Sequence, residues 1–181
     1  MRNGMRIGVG LATLFALGAV APALAGDGRI EAFAGYYVAE ELEEDISYGL
    51  RGGWDSGRGW GLMLSYEQFE TDGKGYGEPS GVEGELAHLE LSYVAYPGGS
   101  GFELFSGIGG TIVDVDTGVP GAIVDLDKTV FSIHAGVAYR FELGDAFYLR
   151  PELRARAYDA GDETLDFTGS VAFGFRWNGG Q

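Results

Sequence analysis

Leu165-Asp166-Phe167-Thr168-Gly169-Ser170-Val171-Ala172-Phe173-Gly174-Phe175-Arg176-Trp177 is the stretch whose reading decides the fold. Its odd positions carry large apolar side chains, with Gly169 the exception, and its even positions carry small or polar ones. Successive side chains of an extended strand point to opposite faces, so this period of two makes a strand with one apolar face and one polar face.

The same alternation recurs toward the N-terminus, giving further runs at 29–39, 46–55, 60–71, 83–96, 102–115, 127–142 and 146–158 before the last at 164–177. Pro151 lies inside the seventh run and removes a ladder donor there, which a bulge or local edge would accommodate. Connections alternate in length. Asp55-Ser56-Gly57-Arg58-Gly59, Pro97-Gly98-Gly99-Ser100-Gly101 and Leu143-Gly144-Asp145 are tight turns rich in residues that tolerate positive φ. Between them fall longer, more acidic connections at 40–45, 72–82 and 116–126, and a shorter one at 160–163. Short turns on one side and longer loops on the other predict an all-β fold: a closed, antiparallel, up-and-down transmembrane β-barrel of eight strands, with both chain ends on the short-turn side.

Arg2 and Arg6 precede an apolar run from Ile7 to Val20, and Ala23-Leu24-Ala25 follows as a small-x-small cleavage site. Residues 1–25 are therefore expected to be a cleaved signal peptide, leaving 26–181 as one barrel domain. Beyond Ala25 no apolar stretch is long enough to cross a bilayer as a helix, so a membrane role needs strands. The whole-chain charge of −15 becomes −17 once Arg2 and Arg6 leave, which argues against nucleic acid as a partner. The absence of cysteine means that no disulfide and no thiol chemistry are available.

A soluble lipocalin-like barrel also alternates, with its apolar side chains inside, so the two faces have to be compared. One carries Trp60, Leu62, Leu64, Tyr66, Leu89, Leu91, Tyr93, Phe131, Ile133, Val137, Tyr139 and Phe141, besides the apolar set of the last run. The other carries Glu31, Arg51, Glu67, Glu90, Glu103, Arg140, Arg150, Glu152, Arg154, Arg156 and Arg176 among glycines and serines. Long charged side chains with small neighbours suit a narrow lumen, and arginine makes bidentate bonds to carboxylates while remaining charged when confined. The charged face is therefore expected inside, as an ion-pair network, with lipid outside. Trp54, Trp60 and Trp177, all the tryptophans of the chain, fall at strand ends on the short-turn side, where an interfacial aromatic girdle belongs.

The ending Gly169-Ser170-Val171-Ala172-Phe173-Gly174-Phe175-Arg176-Trp177 resembles the aromatic-rich closing strand of outer-membrane proteins. With the eight runs and the signal peptide, the chain resembles the small outer-membrane β-barrel superfamily that includes OmpA-like, OmpX-like and opacity-protein-like domains. The resemblance implies a Gram-negative outer membrane, with lipid and lipopolysaccharide as surroundings. It departs from the family in that Asn178-Gly179-Gly180-Gln181 follow the final aromatic.

Some barrels of this size modify lipid A, which makes catalysis the main rival reading. His88 has Glu90 and Ser92 on its own strand face, but all three point away from the lipid, and the Ser132-Ile133-His134 order does not match the lipid A deacylase pattern. Both histidines are read as polar filling, and no cofactor or enzymatic activity is expected. Asp114, Asp116, Asp125 and Asp127 fall on one face of one hairpin, where a surface Ca²⁺ or Mg²⁺ could relieve their repulsion; Glu40, Glu41, Glu43, Glu44 and Asp45 form a looser cluster. A narrow ion channel and a soluble periplasmic binding barrel remain as further rivals. The expected role is non-enzymatic, in envelope integrity, adhesion or surface interaction, with the loops meeting an extracellular protein or surface ligand.

Overall fold

The computed structural model describes residues 26–39, 45–72, 83–99, 101–116, 126–159 and 163–178. Residues 1–25 and most of each longer connection lie outside the described residues, and so do Glu40, Glu41, Glu43, Glu44 and Asp125, whereas Asp45 opens a strand. Almost everything described is strand: β1 Asp27–Ala39, β2 Asp45–Asp55, β3 Trp60–Asp72, β4 Glu83–Ala95, β5 Phe102–Asp116, β6 Leu126–Tyr139, β7 Phe141–Glu142, β8 Phe147–Asp159 and β9 Glu163–Asn178.

Each strand pairs antiparallel with its neighbours, and β1 against β9, from Asp27↔Asn178 to Ala39↔Asp166, closes the ring. The short β7 continues β6 after a break at Arg140, so the barrel has eight staves, as the alternation predicts. Closure leaves no sheet edge, which is what allows strands to sit in hydrocarbon with their backbone groups satisfied.

The break at Arg140 departs from the single run expected over 127–142, and Pro151 is its cause. On one side of the break Ala138 faces Glu152, and on the other Phe141 faces Leu149, so the register resumes unchanged. There is no bulge. The Arg140 N–H donates to Gly101 O at 2.8 Å on the β5 side, so the flanking Tyr139 and Phe141 turn their backbone groups toward β8. The Tyr139 carbonyl then faces Pro151, which has no N–H to offer.

The short turns are set locally. After β2, Ser56 N–H and Oγ–H both donate to Trp60 O, at 2.9 and 2.6 Å, and Asp55 Oδ1 accepts the Gly57 N–H at 3.2 Å. Gly57 and Gly59 have φ of 67° and 86°, which only glycine adopts without steric cost. Pro97–Gly99 forms a 3-10 turn before β5.

The faces are the reverse of those in a water-soluble protein. Phe131 and Leu153 are 65% exposed and Ile46 is 63% exposed, while Arg51 is 1% and Glu103 0% exposed. The aromatic face that a lipocalin-like barrel would turn inward is on the outside here. An apolar exterior of this extent is stable in hydrocarbon rather than in water.

Candidate functional site: an ion-paired lumen

Strand β8 is the hub of the interior, because its alternation delivers Tyr148, Arg150, Glu152, Arg154 and Arg156 to the lumen in succession, and the four charged residues are all at most 4% exposed. Glu152 is reached by Arg51 from across the barrel in a bidentate pair, Nη1 at 2.8 Å and Nη2 at 3.0 Å, and by Arg154 Nη2 at 2.8 Å. It also accepts from Arg150 Nη1. Glu90 of β4 takes Arg156 Nε at 2.6 Å on one oxygen and Arg154 Nη1 on the other. Arg156 continues to Glu67 of β3 at 2.6 Å.

Toward the short-turn end a second group forms around Glu103 of β5, which accepts from Arg150 Nε at 2.7 Å and from Arg29 Nη1 at 3.0 Å. Glu31 accepts the Tyr148 hydroxyl at 2.8 Å and has Arg51 and Arg150 each at 3.7 Å. The two groups share Arg150 and Arg51, so they make one connected network. Desolvating these charges costs several kcal/mol per ion, offset here because each carboxylate meets two or more guanidiniums within hydrogen-bonding or ion-pair distance.

Two of the expected lumen residues sit at the mouth instead. Arg140 reaches Glu142 at 3.0 Å and Glu103 at 3.7 Å with its side chain 13% exposed, and Arg176, 29% exposed, pairs with Glu142 at 3.2 Å. Between Arg29 and Arg140 stands the ring of Tyr96, 5.9 and 5.6 Å from their guanidinium carbons; burial pushes its phenol well above the ordinary range and keeps it neutral.

Arg29 is a network member that the sequence reading left out. Its signal was its position two residues before Glu31, on the same strand face. The lumen is also less uniformly polar than expected. Phe33 lies 3.8 Å from the Arg51 guanidinium carbon, Phe105 lies between Arg150 and Arg154 at 5.5 and 5.4 Å, and Met63, Val94, Phe105 and Ala138 form a small apolar layer. Aromatic faces attract the guanidiniums that the carboxylates hold.

The histidines pair differently from the sequence reading. His88 Nδ1 meets Thr111 Oγ1 at 2.8 Å, whereas Ser92 Oγ meets His134 Nε2 from β6, also at 2.8 Å. His134 crosses to β4 because β5 carries Gly107 between them, where a Cβ would lie 2.8 Å from the imidazole. Ser92, His134 and Glu90 have the composition of a nucleophile, base and acid. Glu90, however, is 3.5 Å from His134 Nδ1 and is held on both oxygens by arginines, and these side chains are sealed in the lumen, away from lipid.

Trp54, Trp60 and Trp177 lie on the outer face at the short-turn end, where Gly28 is paired with both Trp54 and Trp177. Trp54 meets Trp60 edge-on at 5.2 Å, Trp60 stacks on Tyr93 at 6.0 Å and Trp177 on Phe175 at 6.1 Å. Of the aspartates considered for a cation, Asp114 pairs in register with Asp127, and Asp116 with Glu83. Only their backbone is described, and Asp125 lies outside the described residues.

No protein-family model matches the chain, and no curated protein matches it in sequence. Solved structures do match in shape. A major outer membrane protein from Thermus thermophilus superposes with a TM-score of 0.57 at 13% identity, covering 84% of this chain and 100% of that one. The N-terminal β-barrel domain of Pseudomonas aeruginosa OprF gives 0.52 at 20% identity, covering 84% and 98%. Ail, the attachment invasion locus protein of Yersinia pestis, gives 0.53 at 12% identity, covering 85% and 100%. With its closed ring of eight antiparallel staves, apolar exterior and filled interior, this chain has the fold of the small eight-stranded outer-membrane barrels.

Proposed function

We propose that the protein is a non-enzymatic barrel of the bacterial outer membrane, whose rigid body holds acidic loops at the cell surface for envelope integrity, adhesion or surface interaction. The observation that carries this reading is the set of ion pairs spanning the lumen, Arg29 to Glu103, Arg51 to Glu152 and Arg154 to Glu90, which fills the interior and leaves no role there for a passing solute. Function then falls to the loops, the part of such a scaffold free to vary.

Loop chemistry narrows the partner. Ail has been crystallised with the heparin analogue sucrose octasulfate. Here the longer connections contain Glu40, Glu41, Glu43, Glu44, Glu78, Asp125 and Asp162 against Lys74, which disfavours a polyanion and favours a basic protein surface. Register places Asp114 opposite Asp127, a like-charge pair that a Ca²⁺ or Mg²⁺ bridge to lipopolysaccharide phosphate would stabilise. Residues 1–25 are removed on export in this reading.

Fractionation tests it. The mature protein, starting at Gly26, is expected in the outer membrane and is expected to migrate differently on gels with and without boiling. Recovery as a detergent-independent periplasmic protein, or altered lipid A on deleting the gene, would overturn the reading. For the cation, thermal stability unmoved by chelator counts against the bridge.

A further inference from the structure

Three tyrosines and a glutamine stand together on the lipid-facing side of β1, β2 and β3. Tyr36, Tyr48 and Tyr66 point outward, Tyr36 and Tyr48 each 47% exposed, and the Tyr66 hydroxyl donates to Gln68 Oε1 at 3.3 Å. Tyr48 is the register partner of Gln68, while Tyr36 and Tyr66 lie diagonal to it, paired with Ile46 and Leu50. The register climbs toward the longer connections in one circuit of the ring, from Ala138 of β6 through Gly35 of β1 and Ser47 of β2 to Lys128 of β6. The diagonal of tyrosines, which steps back toward the short turns, therefore runs nearly level with the membrane.

Tyr48 and Tyr66 are each six residues along their strands from a girdle tryptophan, Trp54 and Trp60. At about 3.4 Å per residue and a tilt of about 40°, that is a rise of about 15 Å within an apolar band about 25 Å tall. Val38 and Ile46, both exposed, follow Tyr36 and Tyr48 toward the longer connections, so the tyrosines lie beneath the rim of the band rather than on it. At that depth the other staves present Leu89, Ile108, Ile133, Ala155 and Phe167. Hydrocarbon satisfies those side chains but gives a hydroxyl or an amide no hydrogen-bond partner. A phenol both donates and accepts, and a primary amide does so twice over, so such a patch bonds a neighbour as well as itself. Just below it, Ala32 and Ala34 of β1 form a furrow walled by Val171 and Phe173 of β9 and by Tyr48 and Leu50 of β2. Its width suits one acyl chain.

At this depth of the outer leaflet lie the linkages that join acyl chains to a head group. Phospholipid esters only accept hydrogen bonds, whereas lipid A adds amide N–H groups and acyl hydroxyls, spread across several chains as the polar groups here are spread across three staves. We propose that the β1–β3 face binds lipid A, with one acyl chain in the Ala32–Ala34 furrow and the amide and hydroxyl groups at the head of its chains hydrogen-bonded by Tyr36, Tyr48, Tyr66 and Gln68. The contact is with the linkage region of the lipid and is separate from a cation bridge to its phosphates. It rests on the reading that the longer connections face the cell surface.

Native mass spectrometry of the full mature barrel, titrated with lipid A and separately with phosphatidylglycerol, tests this. The wild type is expected to hold lipid A at least fivefold more tightly than a Tyr48→Phe, Gln68→Leu variant checked for heat-modifiable folding, and phosphatidylglycerol no more tightly than the variant does. Equal lipid A affinity in the folded variant overturns the proposal, and phosphatidylglycerol held as tightly as lipid A by the wild type overturns the choice of glycolipid. If the variant does not fold, the wild type decides alone: NMR cross-peaks from lipid A acyl chains to the Tyr36 and Tyr48 rings are expected in nanodiscs, and contacts spread evenly around the ring overturn the site. An epitope inserted in the 72–82 connection separates the two readings. Detection on intact cells without lipid A preference means that the site has failed, and detection only after the membrane is opened means that the sidedness has.

Discussion

Strands β8 and β9 lie side by side, share the same apolar exterior and fill the lumen in opposite ways. The inner face of β8 carries Tyr148, Arg150, Glu152, Arg154 and Arg156; that of β9 carries Gly174, Ala172, Ser170, Thr168 and Asp166, and the register sets these opposite one another in that order. Each long side chain of one strand thus lies across the small or short one of the other. The contrast shows how a narrow barrel accommodates so many arginines: volume is rationed between neighbouring staves, so that the small residues of β9 leave room for the guanidiniums of β8 to reach Glu90 on β4 and Glu103 on β5. Charge pairing and size pairing are separate requirements, and substitutions can break them one at a time.

The largest effect is expected from breaking charge pairing at the hub. Glu90→Ala strips Arg154 and Arg156 of a shared partner and should destabilise the barrel by about 3–5 kcal/mol, read as a lowered urea midpoint for unfolding from lipid vesicles. Breaking size pairing comes next. At Gly174 a Cβ would enter the ring of Tyr148, so Gly174→Val should cost about 1–3 kcal/mol by overpacking in the same assay, and it should also weaken the Tyr148 to Glu31 hydrogen bond. A Gly174→Val, Tyr148→Ala pair that recovers part of the loss would sharpen the size argument, whereas additive losses would sink it. The smallest effect is a gain. Pro151→Val supplies the donor that the Tyr139 carbonyl lacks, restores the break in β6 and should stabilise the barrel by about 0.5–1.5 kcal/mol, with the new amide appearing protected from exchange.

How far the sequence could be read follows the same division. Strand positions came within a residue or two of those observed, since period two is written in the side chains themselves: the run expected at 164–177 is β9 at Glu163–Asn178, and that at 60–71 is β3 at Trp60–Asp72. The break at Arg140 was not anticipated, because Pro151 leaves its own strand β8 unbroken and interrupts the neighbouring stave instead, and which residue stands opposite Pro151 depends on register. His134, rather than His88, meets Ser92 for a related reason. The sequence brings Ser92 and His88 together on one strand, while the contact that forms passes over Gly107 from two strands away.

By itself, then, the sequence determined the strands, their order, which face meets lipid and which residue types fill the interior, because alternation and turn chemistry act between residues close in the chain. Only the closed ring decided that Arg51 meets Glu152, that Arg29 meets Glu103, that Arg140 joins Glu103 to Glu142 at the mouth and that Arg176 pairs there with Glu142. Partners across a lumen are set by the stagger and curvature of all eight staves at once, a geometry that exists only after β1 has joined β9.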